Sequence, residues 1–349
     1  MNLYIFNESS RAAVYGVGTY IRELSATLKD SDINVCIVHL RFEKPDNETA
    51  EPDDVCHLYI PPPINYNAPL FWMHQYELYY RNVVYLLRLH IHETERPVFH
   101  LNYNKSGKLA EELKKTFDCR IVVSAHYADW SFSVYDNLPQ LRLRLKEERL
   151  DDFGKNLKKS FEEERAIYTK ADRVICLSNY MFNILCQDYE LDATKISIIP
   201  NGLTDTAKTK SDKIVLRKKR KIPTKEKIIL FAGRMDEIKG LKYLINAFRN
   251  VLHVFPQSRL VIAGDGDFSK YTKESQDICS KITYTGLLDK EQLYEWYCLA
   301  NLGVVPSLFE PFGYVAVEMM IHRLPIVATS TSGLNEVVDS YLRIQSPSY

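Results

Sequence analysis

No two of the seven cysteines (Cys36, Cys56, Cys119, Cys176, Cys186, Cys279 and Cys298) are spaced as CxxC. Their odd number and scatter leave no disulfide or zinc framework to read. Free cysteines in apolar runs act as small core residues, so a reducing compartment is expected. Net charge is also missing: 45 Lys and Arg stand against 45 Asp and Glu. That balance argues against a dedicated nucleic-acid binder, which would carry a basic excess. No apolar run approaches the roughly 18 residues of a membrane span. The opening MNLYIF turns polar too soon for a signal peptide. A cytoplasmic protein is expected, with a peripheral contact at the inner membrane face left open.

What is present fits an ordinary globular chain. The composition is 46% hydrophobic and 26% charged. At roughly 150 residues per domain, 349 residues suggest two domains, each able to bury a core. Twenty-three tyrosines, 15 phenylalanines and three tryptophans supply ample aromatic surface without deciding a function.

Short apolar runs alternate with helical patterns. Strands are predicted at Leu3–Phe6, Ile33–Leu40, Val55–Ile60, Val98–Leu101, Arg120–Ser124, Arg173–Leu177 and Ile196–Ile199. Helices are predicted at Val17–Leu28, Phe71–His92 and Leu138–Thr169. The second half repeats the theme, with strands at Lys227–Ala232, Arg259–Ala263, Ile282–Thr285, Leu302–Val305 and Pro325–Ala328. Its helices are Leu241–Phe255, Lys290–Leu299 and Gly313–His322, the first with an apolar face from Leu241 through Phe255. This alternation implies parallel βαβ units. The very basic Thr204–Lys227 reads as a hydrated inter-domain connection in preference to an anionic-membrane patch. The expected division is 1–205 and 206–349: two doubly wound parallel-sheet α/β domains facing across a cleft. Ligands of such sheets sit beyond the strand C-termini.

Three segments could carry chemistry there. Tyr15-Gly16-Val17-Gly18-Thr19-Tyr20 is a glycine loop between the first strand and helix, where bare amides favour an anion. Ile21 occupies the place of the third small residue a dinucleotide fingerprint needs, so an NAD site fits poorly. Gly233-Arg234-Met235-Asp236-Glu237-Ile238-Lys239-Gly240 follows a strand and sets two cations five apart between glycines, a pattern suited to a diphosphate. Val261–Gly266 also ends in glycines, at Gly264 and Gly266. Finally, Glu310-Pro311-Phe312-Gly313-Tyr314 leads into a helix holding Glu318. A helix start holds phosphate, and an internal carboxylate accepts ribose hydroxyls. A random pair of glutamates would more often be simply solvated.

Taken together, G-V-G-T-Y, I-P-N-G-L, F-A-G-R-M-D-E-I-K-G, L-V-I-A-G-D-G, E-P-F-G-Y-V-A-V-E and S-G-L-N-E-V-V resemble family 4 of the retaining, nucleotide-sugar-dependent glycosyltransferases, in the family's order and over nearly the whole chain. Asn2–Leu40 also resembles a bacterial subgroup encoded beside peptide-modification enzymes. The resemblance implies the GT-B fold, a nucleotide diphosphate sugar donor (UDP- or GDP-sugar), and a saccharide, lipid-linked or peptide acceptor. It implies no cofactor, no metal and no nucleic acid.

By similarity, Arg234 and Lys239 would hold the diphosphate and stabilise its leaving charge. Glu318 would bind the ribose, and Glu310 the transferred sugar. Gly233, Gly264, Phe312, Gly313 and Tyr314 complete the implied donor set. Gly16 and Gly18 would close over the phosphates. His126, in V-V-S-A-H-Y, would lie near sugar and acceptor, with His100 ending another strand. The family's Asp after this histidine is replaced by Tyr127, with Asp129 two residues later. Arg323 stands where the family commonly has Gly. After Asp339 the expected terminal helices have no counterpart in Ser340–Tyr349. The alternative from another class is a nucleotide-sugar-binding protein that has lost turnover. An epimerase or phosphorylase fits less well.

Overall fold

The computed structural model describes residues 1–8, 15–42, 55–62, 72–92, 96–135, 137–205 and 213–345. The expected helix start at Phe71, residues 206–212 of the basic connection, and Ser346–Tyr349 lie outside the described residues. The chain forms two compact units, Met1–Ser133 with Pro139–Gly202, and Val134–Leu138 with Leu203–Tyr349.

The first unit is built on seven parallel strands: β1 (Asn2–Glu8), β2 (Asn34–Leu40), β3 (Cys56–Ile60), β4 (Val98–Leu101), β5 (Arg120–Ala125), β6 (Arg173–Cys176) and β7 (Ile196–Ile198). Their order is β3-β2-β1-β4-β5-β6-β7. The chain winds one way from β1 to β3, then crosses to the other side of β1. The switch of direction therefore lies between β1 and β4, where a crevice opens beyond the strand C-termini. Leu3, Tyr4, Ile5 and Phe6 are all buried, because helices cover both faces of a parallel sheet.

The second unit repeats this with six parallel strands, β8 (Lys227–Ala232), β9 (Ser258–Ala263), β10 (Ile282–Gly286), β11 (Leu302–Val305), β12 (Ile326–Ser330) and β13 (Arg343–Gln345). The order β10-β9-β8-β11-β12-β13 puts its switch between β8 and β11. Leu241, Leu244, Ile245 and Phe248 of the Leu241–Val254 helix pack on one face of this sheet. Phe255 lies one residue past the helix and is exposed.

Several local expectations need correction. Leu138–Thr169 is not one helix but two, Leu138–Lys146 and Asp152–Lys170. Asp151 starts the second by accepting the Gly154 N–H at 2.8 Å, a capping bond that favours a new N-terminus over helix continuation. The basic connection contains a helix, Lys213–Lys219, whose Leu216 enters the core. Several cations of the connection are engaged locally. Lys213 donates to the Ala300 carbonyl at 2.7 Å, and Lys219 and Arg220 pair with Glu295. The last strand, β13, was not foreseen; Ile344 pairs with Thr329 of β12.

Candidate active site

The β8/β11 switch of the second unit carries the cations. β8 ends at Ala232, and the chain leaves it through Gly233, whose φ of 148° favours glycine. Gly264, leaving β9, must also lack a side chain, since a Cβ there would lie 1.9 Å from the Gly233 carbonyl oxygen. The two strand exits thus run against each other backbone to backbone. Arg234 follows and pairs with Asp236 at 3.2 Å. A short 3-10 turn, Glu237–Lys239, then places Lys239 ahead of the Leu241–Val254 helix.

Lys239 Nζ donates to Glu310 Oε2 at 2.5 Å, and both side chains are about four-fifths covered. Glu310 comes from the loop after β11. That loop is tied down at both ends of its peptide unit: the Glu310 N–H donates to Ser332 Oγ at 2.7 Å, and Ser332 Oγ and the Gly333 N–H both donate to the Glu310 carbonyl. Phe312 is buried, and Gly313 takes φ 100° immediately before the Tyr314–Ile321 helix. A Cβ on Gly313 would strike Leu334 at 2.6 Å. Tyr314 opens that helix and Glu318 lies within it, as the spacing predicted.

Glu318 is far from solvated: its side chain is 3% exposed. Oε1 accepts from Lys290, and Oε2 accepts from the Tyr297 hydroxyl at 2.8 Å. Burial and the adjacent Glu318 carboxylate push the Tyr297 phenol well above its usual range, so it remains a donor. Lys290 and Tyr297 come from the Lys290–Leu299 helix, and nothing in their local sequence marks them. Arg323 follows the Glu318 helix with φ 57°, the left-handed turn for which glycine is the usual residue.

The first unit presents different chemistry. Gly16 and Gly18 do not form a loop; they occupy the first turn of the Gly16–Leu28 helix. This follows from the buried Val17, Thr19 and Ile21, which pull the helix start back onto the sheet. Free N–H groups of that turn still face outward from a helix N-terminus. His126 lies just past β5 and is buried. Burial, with His100 nearby, lowers its pKa to about 3, while burial lowers that of His100 to about 4. Both rings are neutral near pH 7. Tyr20 packs edge-on against His126, with centroids 4.6 Å apart. Its hydroxyl is 3.3 Å from Ser124 Oγ, which lies 2.8 Å from His100 Nε2.

Behind His126 runs a buried network that the sequence motifs did not reveal. Glu164, fully buried, accepts the Asp129 N–H at 2.6 Å and also takes bonds from Asn104 and Tyr189. Asn104 donates again to the Tyr127 carbonyl at 3.0 Å. Burial, then the Asp129 carboxylate, push Glu164 up to about 8, so it is mostly protonated at pH 7. Asp129 itself pairs with Lys105 and accepts from Ser160. A signal for Glu164 existed: it sits on the stripe Leu157, Phe161, Glu164, Tyr168, an acid among apolar residues at helical spacing. Among the described residues no group of three or more His, Cys, Asp or Glu could hold a metal ion. No described helix is long and apolar enough to cross a membrane.

The two doubly wound parallel sheets are those of the GT-B class of glycosyltransferases. The model of Glycosyltransferase Family 4 matches residues 14–206, more than half the chain, and that of Glycosyl transferases group 1 matches 226–343. The chain belongs to glycosyltransferase family 4. It is 33% identical over 176 residues to an uncharacterised glycosyltransferase of Methanocaldococcus jannaschii, covering 48% of this chain and 44% of that protein. It is 28% identical over 178 residues to a D-inositol 3-phosphate glycosyltransferase of Segniliparus rotundus, covering 49% and 40%. The matched region thus spans under half the length of these relatives. Among solved structures, sucrose-phosphate synthase from Thermosynechococcus elongatus superposes with a TM-score of 0.76 at 21% identity, covering 99% of this chain and 86% of the other. Anabaena HepE in complex with UDP and glucose superposes with a TM-score of 0.67 at 18% identity, covering 97% and 83%.

Proposed function

We propose that the chain is a retaining, metal-independent glycosyltransferase. It moves a sugar from a UDP- or GDP-sugar to a hydroxyl of a saccharide, lipid-linked or peptide acceptor. The observation that carries this reading is the Lys239–Glu310 pair at 2.5 Å beside Arg234, at a sheet switch point. In family 4 those positions belong to diphosphate and sugar. HepE, a protein of the same fold, was solved with UDP and glucose bound, which supports a nucleotide-sugar donor.

The chemistry follows as an exchange of partners. Lys239 and Arg234 give up their carboxylates for the diphosphate and stabilise the charge that develops as it leaves. Two fixed cations supply there what a divalent metal supplies elsewhere. Glu310, released, accepts hydroxyls of the transferred sugar. The ribose takes the place of Lys290 on Glu318, while Tyr297 keeps the carboxylate oriented. The acceptor hydroxyl attacks on the face the diphosphate leaves, and a departing phosphate oxygen takes its proton. His126, neutral, hydrogen-bonds the sugar or the acceptor. Gly16 and Gly18 offer amides of a helix N-terminus to an anion.

The test is a thermal-shift and calorimetric screen with UDP, GDP, ADP and dTDP and their common sugars, with and without Mg²⁺. One nucleotide should stabilise the protein without metal, by an amount that grows with its concentration. A folded protein that none of them stabilises would overturn the reading.

A further inference from the structure

A chain of buried hydrogen bonds at the ends of β1, β4 and β5 begins at a main-chain oxygen. The Phe6 carbonyl can only accept. The group of Asn102 that faces it, at 3.2 Å, is therefore the amide NH₂. Asn102 is wholly buried, so its amide cannot turn away to water. Its oxygen, Oδ1, then points the other way and lies 2.9 Å from His126 Nε2. That oxygen too can only accept, so Nε2 carries the proton. A neutral imidazole has one N–H, which leaves the lone pair on Nδ1. His100 has no such constraint, because its Nε2 meets the Ser124 hydroxyl, which can donate or accept.

We propose that Asn102 is a positioning residue that holds His126 as the Nε2–H tautomer and so presents Nδ1 as the acceptor for a hydroxyl of the transferred sugar or of the acceptor substrate. The identity of the hydroxyl rests on the glycosyltransferase reading; the tautomer does not. The edge-on Tyr20 ring holds the imidazole plane while Asn102 sets its proton.

The experiment is long-range ¹⁵N–¹H correlation NMR on the full chain labelled with ¹⁵N-histidine. His126→Gln assigns the resonance among the nine histidines. The native protein should show Nε2 protonated and Nδ1 bare. Asn102→Ala should give a mixture of tautomers. Asn102→Asp, nearly isosteric, should keep Nε2–H and raise the ring's pKa. Where Asn102→Ala fails to fold, the native spectrum and the Asp variant decide. A protonated Nδ1 in the native protein, or a His126 signal unchanged in the folded variants, overturns the assignment whatever the turnover. In kinetics, kcat of Asn102→Ala should fall about tenfold or more with the donor KM held. A kcat that stays native would remove His126 Nδ1 from the reaction. The expected tautomer in a protein with no turnover on any donor–acceptor pair would strike the transfer reading and leave the assignment of the proton standing.

Discussion

The two units share a winding, a switch point and a set of strand ends, yet they arm those ends differently. The second unit uses full charges: Arg234 with Asp236, Lys239 with Glu310, Lys290 with Glu318. The first also holds ion pairs, Glu8 with Arg41 and Asp129 with Lys105, but around His126 it sets uncharged groups: His100, His126 and Glu164, neutralised by burial, with the Ser124 hydroxyl and the Asn102 amide. Topology decides where a site can form, and side chains decide what it can hold. Charged pairs suit a ligand that brings its own charge, such as a diphosphate. A dry neutral cluster suits hydroxyls, which must be oriented rather than neutralised.

Removing the charges should produce the largest effect. Arg234→Ala or Lys239→Ala should lower the transfer rate on the order of 10²–10³ with the fold intact, as judged by circular dichroism. Native rates in both would erase the contrast. Acid should separate the units next. In the unfolded chain His100 and His126 titrate near 6.5, but in the fold at about 4 and about 3. As the pH falls below about 6.5, the unfolded state takes up protons that the folded state refuses, so their contribution to stability is lost progressively toward pH 3. In a Glu164→Gln background, which removes the opposing titration of the same unit, hydrogen exchange corrected for pH should show first-unit amides losing protection from pH 7 to 5 before those of the second unit. Equal loss in both would contradict the assignment of the neutral cluster.

Glu164 should behave in the opposite sense. Its carboxyl titrates near 4.5 unfolded and at about 8 folded, so stability declines as pH rises across that window. Glu164→Gln removes the titration while keeping the shape. Relative to the native chain, the variant's melting temperature should gain about 2–4 °C between pH 5 and pH 8. A constant difference would mean that Glu164 is ionised in the fold. The smallest effect concerns backbone alone: Arg323→Gly, at φ 57°, should raise the melting temperature by about 2 °C with unchanged kinetics.

Much of this was legible in the residues. Alternating short apolar runs and 3.6-period segments marked β1 through β12, because buried parallel strands are apolar throughout. The glycines flanking Arg234 and Lys239 betrayed backbone close to backbone. What stayed hidden were partners supplied by other elements. Lys290 and Tyr297 converge on Glu318 from a helix 21 and more residues away, and no local pattern links them. Asn102 looked like any residue after a strand until the Phe6 carbonyl and His126 appeared on either side of it. β13 was missed because three half-polar residues make no apolar run.

The three ion pairs of the second unit have a further consequence for selectivity. The site arrives with its counter-ions already covalently attached to the chain. A small free anion that displaced Glu310 from Lys239 would leave a largely covered carboxylate with only the Ser307 hydroxyl, 3.4 Å away, as its partner. Only a molecule bearing phosphates for the cations and hydroxyls for the liberated carboxylates leaves every group satisfied. On the proposed reading, these pairs would act as a two-key lock that admits a nucleotide sugar and turns away inorganic phosphate.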